Sequence, residues 1–234
     1  RLVGSEMCIR DSISSADIGL IASSNYLGYL IGSIIPLIYS FTNRQRLTLY
    51  LSVIVSIITL GLMGLTSDFN VFILLRFLQG ISGAIGLVIA TNLIFVQITV
   101  KGRIDLRLAH ISGFGLGMFL SAIAIWICSM FELQWNYQWF VIAILCIVLT
   151  IPIISSPLGK GSEASIDQSP QSNKLSLGFV GISVGYFFFG FGYIIFGTFI
   201  AALAVNTPAL ENIQHASWIL VGISAMPAIF ILSL

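Results

Sequence analysis

A single arginine inside an apolar stretch is the most chemically distinctive residue of this 234-residue chain. Arg76 lies in the run Val71–Thr99. A guanidinium at the centre of a membrane helix costs about 2.5–3.5 kcal/mol on insertion scales. The acidic residues Asp17, Asp68 and Glu211 lie at the ends of the apolar runs at best. A carboxylate partner for Arg76, if one is needed, is therefore expected from helices that this chain does not contain.

The position of Arg76 allows a simple interpretation. The residue follows Asn70 by six positions, which corresponds to about 9 Å along a helix. From that depth the long side chain can snorkel outward to water. The competing interpretation, in which the guanidinium faces a water-filled cavity, depends on a resemblance described below.

Other polar side chains also interrupt the apolar runs. Asn25 and Tyr26 lie in the middle of the first run, Asn92 lies in the inner half of the third, and Tyr193 lies in the sixth. Membrane-embedded polar groups usually bond between helices and contribute to stability. Each of these residues therefore has a packing role as its plainest interpretation.

The composition indicates which elements carry these residues. Hydrophobic residues make up 57% of the chain and charged residues 8%, and the mean hydropathy is +1.03. A soluble domain has about 25% charged residues. A bilayer core needs about 20 apolar residues per helix, and lipid-embedded backbone has to form helices. The sequence contains seven such runs: Ile18–Phe41, Leu47–Leu65, Val71–Thr99, Leu108–Met130, Trp139–Ile154, Leu177–Val205 and Ser217–Leu234.

The charges alternate between the joints that connect these runs. Joints one, three and five contain seven Lys or Arg residues, and joints two, four and six contain none. This positive-inside pattern predicts that the loops at 42–46, 100–107 and 155–176 are cytoplasmic. The basic loop residues nearest the helices are Arg44, Arg46, Lys101, Arg103 and Arg107. The pattern predicts a multi-pass membrane protein.

The first residues are not expected to belong to the fold. The string from Leu2 to Asp11 resembles the translated read-through of a sequencing adapter, so we interpret residues 1–12 as an artefact. The alternative is a genuine polar tail.

The rest of the chain is expected to form two helical bundles. Residues 13–154 are expected to form the first bundle, and residues 177–234 the start of the second. Residues 155–176 are expected to form a flexible cytoplasmic central loop, which is rich in Ser, Gly, Pro and Gln.

Small residues recur at helix-packing spacing in several runs. Gly28 and Gly32, Gly113 and Gly117, and Gly181 and Gly185 each form a G-x-x-x-G pair. Such stripes allow helices to approach closely in lipid. Close packing is the plain interpretation, and sliding of smooth helix faces is the alternative.

Several functional classes find no support in the residues. Cys128 and Cys146 lie inside apolar runs without metal-ligand spacing, so we expect neither a metal site nor a disulfide. No Gly-rich phosphate loop or Ser/His/Asp arrangement occurs in a polar joint, so we expect no enzymatic activity and no cofactor. The net charge of +1 does not indicate a nucleic-acid partner.

One motif resembles a known family. The third run contains Arg76-Phe-Leu-Gln79-Gly80-Ile-Ser-Gly83-Ala84, which resembles the R-F-x-Q-G-x-x-x-A signature of the fourth helix of major facilitator superfamily (MFS) transporters. The stretches beginning at Ala22, Gly190 and Trp218 resemble the YbfB/YjiJ branch of that superfamily. The loop at Ser40–Arg46 departs from the family pattern because it lacks the acidic residue.

The resemblance implies a truncated MFS-type bundle with about seven of twelve transmembrane helices. It implies a secondary transporter in a bacterial inner membrane, which moves a small solute by alternating access and is driven by an ion gradient. We expect it to be a monomer. Arg76, Gln79 and Gly80 are then candidates for proton coupling or anion attraction in a water-filled cavity. Asn25, Asn92 and Tyr193 are candidates for lining that cavity.

Two other functional classes remain open at this point. A non-transporting membrane scaffold or sensor could use a similar bundle, and a fully packed interface between the two halves would favour it. An intramembrane enzyme would need paired acidic or histidine residues inside the apolar runs, and the sequence contains none.

Overall fold

The computed structural model describes residues 15–38, 44–100, 102, 106–155, 177–206 and 219–224. The adapter interpretation of residues 1–12 falls outside the described residues, and so does most of the central loop at 155–176.

Six long helices follow one another in the described part of the chain, which contains no strand. They are α1 (Ser15–Ile38), α2 (Gln45–Met63), α3 (Phe69–Val100), α4 (Leu106–Met130), α5 (Trp135–Ser155) and α6 (Leu177–Asn206). Residues 219–224, in the seventh apolar run, are also helical.

Five of these helices are long and apolar enough to cross a membrane: Gln45–Met63, Phe69–Thr99, Ser112–Met130, Trp135–Pro152 and Leu177–Phe196. The prediction of an all-α, polytopic membrane protein is confirmed.

Five of the six helices begin two to four residues before the apolar runs that predict them, and α3 and α5 have polar contacts at this start. Asp68 caps α3, because its Oδ1 accepts hydrogen bonds from the backbone N–H groups of Asn70 at 2.9 Å and Val71 at 3.0 Å. At the start of α5, the Gln138 side-chain amide donates to the Leu133 carbonyl at 3.2 Å. An apolar run marks where a helix enters lipid, whereas capping groups decide where the helix starts.

The C-terminus of α4 has an unusual residue in a common motif. Glu132 has φ = 52°, in the left-handed region. The Leu133 N–H donates to the Cys128 carbonyl at 3.0 Å, and the Glu132 N–H donates to the Ser129 carbonyl at 3.1 Å. This is a Schellman ending in which glutamate occupies the position that usually holds glycine.

Helices α1 and α3 pack on each other more extensively than any other pair. A Cβ atom on Gly28 would collide with the backbone of Phe77, and one on Gly32 would collide with the backbone of Ile81. A Cβ atom on Gly80 would in turn collide with the backbone of Asn25. The two helices are therefore in backbone contact, and larger side chains at these glycines would force them apart.

Helix α2 packs on the other side of α3 through hydroxyl groups. Ser52, Ser56 and Thr59 are spaced to lie on one face of α2, and Ser52 and Thr59 are buried. The Ser56 and Ser82 hydroxyls are hydrogen-bonded at 2.9 Å. The Ser52 hydroxyl lies 2.9 Å from where a Cβ on Gly86 would be. Small polar side chains thus form this second interface.

The remaining helices pack less closely. Helix α5 contacts α2 and α4, and a Cβ on Gly64 would lie 2.9 Å from the Asn136 carbonyl oxygen. The described side chains of α6 are almost all exposed. Residues 219–224 reach α4, where a Cβ on Gly222 would lie 2.7 Å from the Phe119 nitrogen.

Candidate functional site

The guanidinium of Arg76 lies against two aromatic rings. Its Cζ is 4.8 Å from the centroid of Trp139 on α5 and 5.7 Å from the centroid of Phe72 on α3. The two rings contact each other edge to face, with centroids 5.8 Å apart and planes at 71°. Arg76, Phe72 and Trp139 therefore form one aromatic–cation cluster between α3 and α5, which we call the Arg76 cluster.

This arrangement offsets the cost of a charge in an apolar environment. A cation over an aromatic face gains about 0.5–1 kcal/mol at an exposed site and about 2 kcal/mol or more where water is excluded. Phe72 is buried, and Arg76 and Trp139 are half-buried. At up to about 2 kcal/mol, the contact therefore recovers part of the arginine's insertion cost of about 2.5–3.5 kcal/mol.

The side chain of Arg76 extends towards the N-terminal end of α3. Phe72 precedes Arg76 by one turn, and helical side chains lean in that direction. The snorkelling interpretation anticipates this direction. That interpretation does not predict the contact between the guanidinium and the indole ring of Trp139. In the sequence, Trp139 marks only the start of the fifth apolar run, Trp139–Ile154.

The backbone of Arg76 is tied to α1. The side-chain Nδ2 of Asn25 donates a hydrogen bond to the Arg76 carbonyl at 2.9 Å. One turn further along α3, Gly80 contacts the Asn25 backbone. The structure thus brings Asn25, Arg76 and Gly80 together, although the sequence assigned Asn25 to a separate group. Their roles in coupling or in lining a cavity stay predictions.

Gln79 lies on α3 between these residues and is half-buried. Its side-chain Oε1 has no hydrogen-bond partner among the described residues. The same holds for the indole Nε1 of Trp139. An acceptor and a donor without partners are thus present on the two helices that form the Arg76 cluster.

Two predicted residues lie away from this cluster. Asn92 is exposed on α3, about 24 Å from Arg76 along the helix. Tyr193 is exposed on α6, and its hydroxyl donates to the Met118 sulfur of α4 at 3.6 Å. Neither arrangement tests whether these residues line a cavity.

The basic loop residues are only partly described. Arg44 is exposed and precedes α2 as its N-cap residue. Arg46 is half-buried, and its Nε and Nη2 have no hydrogen-bond partner among the described residues. Lys101 and Arg103 lie outside the described residues, and Arg107 is described only as part of the α4 backbone.

One polar contact between helices was not anticipated. The Thr91 hydroxyl and the His110 Nε2 lie 3.2 Å apart, and the His110 ring packs edge to face on Phe95 at 5.6 Å. These contacts join α3 to α4. The sequence shows that Thr91 and Phe95 share one face of α3, because they are one helical turn apart. It does not show that His110 of α4 contacts both residues.

The described residues contain no group of three or more His, Cys, Asp or Glu side chains that could hold a metal ion. Within the same part of the chain, Cys128 and Cys146 are free thiols. The site does offer a positive charge that lies against two aromatic rings, on a stretch of backbone that the Asn25 amide ties to α1.

Comparison with known proteins identifies one family. A family model described as "Uncharacterised MFS-type transporter YbfB" matches residues 5–234. No curated protein and no solved structure matches the chain.

Proposed function

The chain belongs to the YbfB-type family of MFS transporters, and from this premise we propose that it moves a small solute across a bacterial inner membrane by alternating access. In this mechanism two helical bundles rock about a binding site near the middle of the bilayer. The proposed energy source is an ion gradient. The family is one of membrane transporters, and its resemblance to this chain was already visible in the motif that begins at Arg76.

The Arg76 cluster is the observation that carries this proposal. A permanent charge inside a membrane span is expensive and is usually retained for function. Arg76 is bound by a specific set of contacts to Trp139, Phe72 and Asn25. A group held in this way can attract an anionic part of a solute, or it can respond to the protonation of a nearby acid.

The orientation follows from the charge pattern. We propose that the loops at 42–46, 100–107 and 155–176 face the cytoplasm, because they contain the basic residues. Arg76 then lies in the outer half of its span. The partners in this proposal are the lipid bilayer and one small-molecule substrate, and the transporter acts as a monomer without a nucleic-acid partner or a cofactor.

The proposal is tested by transport measurements on the intact protein that contains this chain. Uptake and efflux of radiolabelled organic acids, amino acids and sugars are compared between a deletion strain and the complemented strain. A complementation-dependent flux that is abolished when an ionophore collapses the ion gradients supports the proposal. Equal fluxes in both strains across all these solutes contradict it.

Arg76→Ala is the sharper variant in the same assay. We expect it to lower transport at least about 100-fold, because it removes the one charge that the apolar runs contain, while the protein still inserts into the membrane. Arg44→Ala serves as the matched control because Arg44 is exposed at a helix end. Unchanged transport by a normally inserted Arg76→Ala protein excludes a role for Arg76.

A further inference from the structure

Of the two rings against Arg76, that of Trp139 lies nearer to the charge. The guanidinium carbon is closer to the Trp139 centroid, at 4.8 Å, than to the Phe72 centroid, at 5.7 Å. Phe72 belongs to the same helix as Arg76, so it moves with α3. Trp139 belongs to α5 and thus places the charge relative to a second helix.

The surroundings of Trp139 keep the indole in one place. Trp139 packs against a cluster of buried residues from three helices, namely Ile21 of α1, Met63 of α2, and Phe72 and Leu75 of α3. The ring that receives the guanidinium is therefore held against a buried cluster to which three helices contribute.

Without the indole, the guanidinium would have a nearby alternative. Arg76 is about 9 Å from the predicted outer end of its span, and a free arginine side chain can snorkel over such a distance. A cation–π contact with indole is the strongest of the aromatic series. The contact with Trp139 therefore competes directly with movement of the charge towards water.

We propose that Trp139 is a positioning residue that holds the Arg76 guanidinium at a fixed depth and thereby makes transport possible. This inference rests on the proposed function, because it assumes that the charge of Arg76 is used in transport. It assigns to Trp139 a role beyond its packing against the buried cluster. Asn25 contributes by holding the Arg76 backbone against α1.

The contact itself is tested without any substrate. The protein is labelled with fluorotryptophan, and fluorine NMR of the purified intact protein in nanodiscs resolves its tryptophans, of which this chain contributes four. The signal that disappears in Trp139→Phe is assigned to Trp139. We expect Arg76→Met to shift that signal and to leave the Trp126 signal in place. Arg46→Met, which removes another half-buried arginine, is expected to leave the Trp139 signal unshifted. An unmoved Trp139 signal in Arg76→Met overturns the inference.

The effect on transport separates positioning from simple packing. We expect Trp139→Leu, which keeps an apolar side chain but removes the aromatic face, to lower transport at least about tenfold. Trp139→Phe retains an aromatic face and is expected to restore most of the rate. Trp126→Leu is the control, because Trp126 is exposed on α4. Equal loss in Trp139→Phe and Trp139→Leu overturns the inference, since packing alone would then explain the effect.

The two proposals fail in different ways. If Arg76→Ala transports normally, the role of Arg76 in the proposed function fails and the Trp139 assignment fails with it. If Arg76→Ala is inactive while a normally inserted Trp139→Leu protein transports at the wild-type rate, only the positioning role fails. The fluorine signal decides whether the contact exists even where Trp139→Leu does not fold.

Discussion

The same glycine spacing has opposite outcomes in α1 and α6. Gly28 and Gly32 of α1 are in backbone contact with α3, so that a Cβ atom on either would collide with it. Gly181 and Gly185 of α6 have the identical G-x-x-x-G spacing, and a Cβ atom on either would meet nothing within 4 Å among the described residues. Of the two helices, α6 is the more apolar. Neither the motif nor hydrophobicity therefore decides which helix is packed.

The difference lies in the surface that α1 meets. Opposite its glycines, α3 offers Gly80 and Ala84, and its Arg76 carbonyl accepts a hydrogen bond from Asn25. Helices in lipid gain little from burying apolar area, so close contact and hydrogen bonds between helices have to supply the stability. The pair α1–α3 has both, whereas the described residues place neither opposite Gly181 and Gly185.

The largest expected effect comes from filling the glycine contact. We expect Gly80→Leu to lower the free energy of unfolding by about 2–3 kcal/mol, because α1 and α3 would have to separate. Gly185→Leu is the matched control, and we expect a change of less than about 0.5 kcal/mol. Both are measured by SDS titration of the purified protein in mixed micelles, followed by fluorescence. Similar losses in the two variants would remove the distinction between the packed and the open stripe.

A smaller loss of stability is expected when the Asn25 amide is removed, which bonds α1 to the Arg76 carbonyl of α3. Asn25→Ala should lower the free energy of unfolding by about 0.6 kcal/mol, the average for hydrogen bonds between membrane helices, and by at most about 1.7 kcal/mol. Asn92→Ala removes the same group from an exposed position of α3 and should have almost no effect. The same titration compares the two variants. A larger loss of stability in Asn92→Ala than in Asn25→Ala would contradict a stabilising role for the hydrogen bond between Asn25 and the Arg76 carbonyl.

The smallest expected effect concerns the hydroxyl pair between α2 and α3. A double-mutant cycle of Ser56→Ala and Ser82→Ala should give a coupling energy of about 0.6 kcal/mol. Ser183→Ala on the exposed face of α6 is the control, because its hydroxyl bonds within its own helix to Phe179 at 2.9 Å. It should show no coupling to Ser82→Ala. A coupling energy of zero for Ser56 and Ser82 would leave backbone contact alone as the cause of close packing.

Much of the fold was predictable from local properties of the chain. Apolar runs located all six long helices, because lipid-embedded backbone has to satisfy its hydrogen bonds within one helix. Helix starts were less predictable. The α3 helix begins at Phe69 because Asp68 caps it. The α5 helix begins at Trp135, four positions before the apolar run Trp139–Ile154 that predicts it. Capping depends on one or two polar atoms, which an average over hydropathy does not detect.

The candidate site was predictable only in part. Arg76 stood out because a charge inside an apolar run is rare and expensive. Phe72 could have been connected to it, since a residue one turn earlier lies on the same face. Trp139 could not, because the two residues are 63 positions apart in sequence and meet only when α3 and α5 pack. Asn25 was recognised as a polar residue in a span, but its partner, a backbone carbonyl of α3, has no sequence signal.

The sequence by itself determined the membrane class, the helical elements, the alternation of charge between loops and the one arginine that lipid would penalise. All of these follow from properties that each segment has alone, namely its hydropathy and its backbone hydrogen bonds. The tertiary structure decided which glycine stripe is packed and that the charge of Arg76 lies on Trp139. Those outcomes depend on two surfaces meeting, and no property of one segment specifies the surface that it meets.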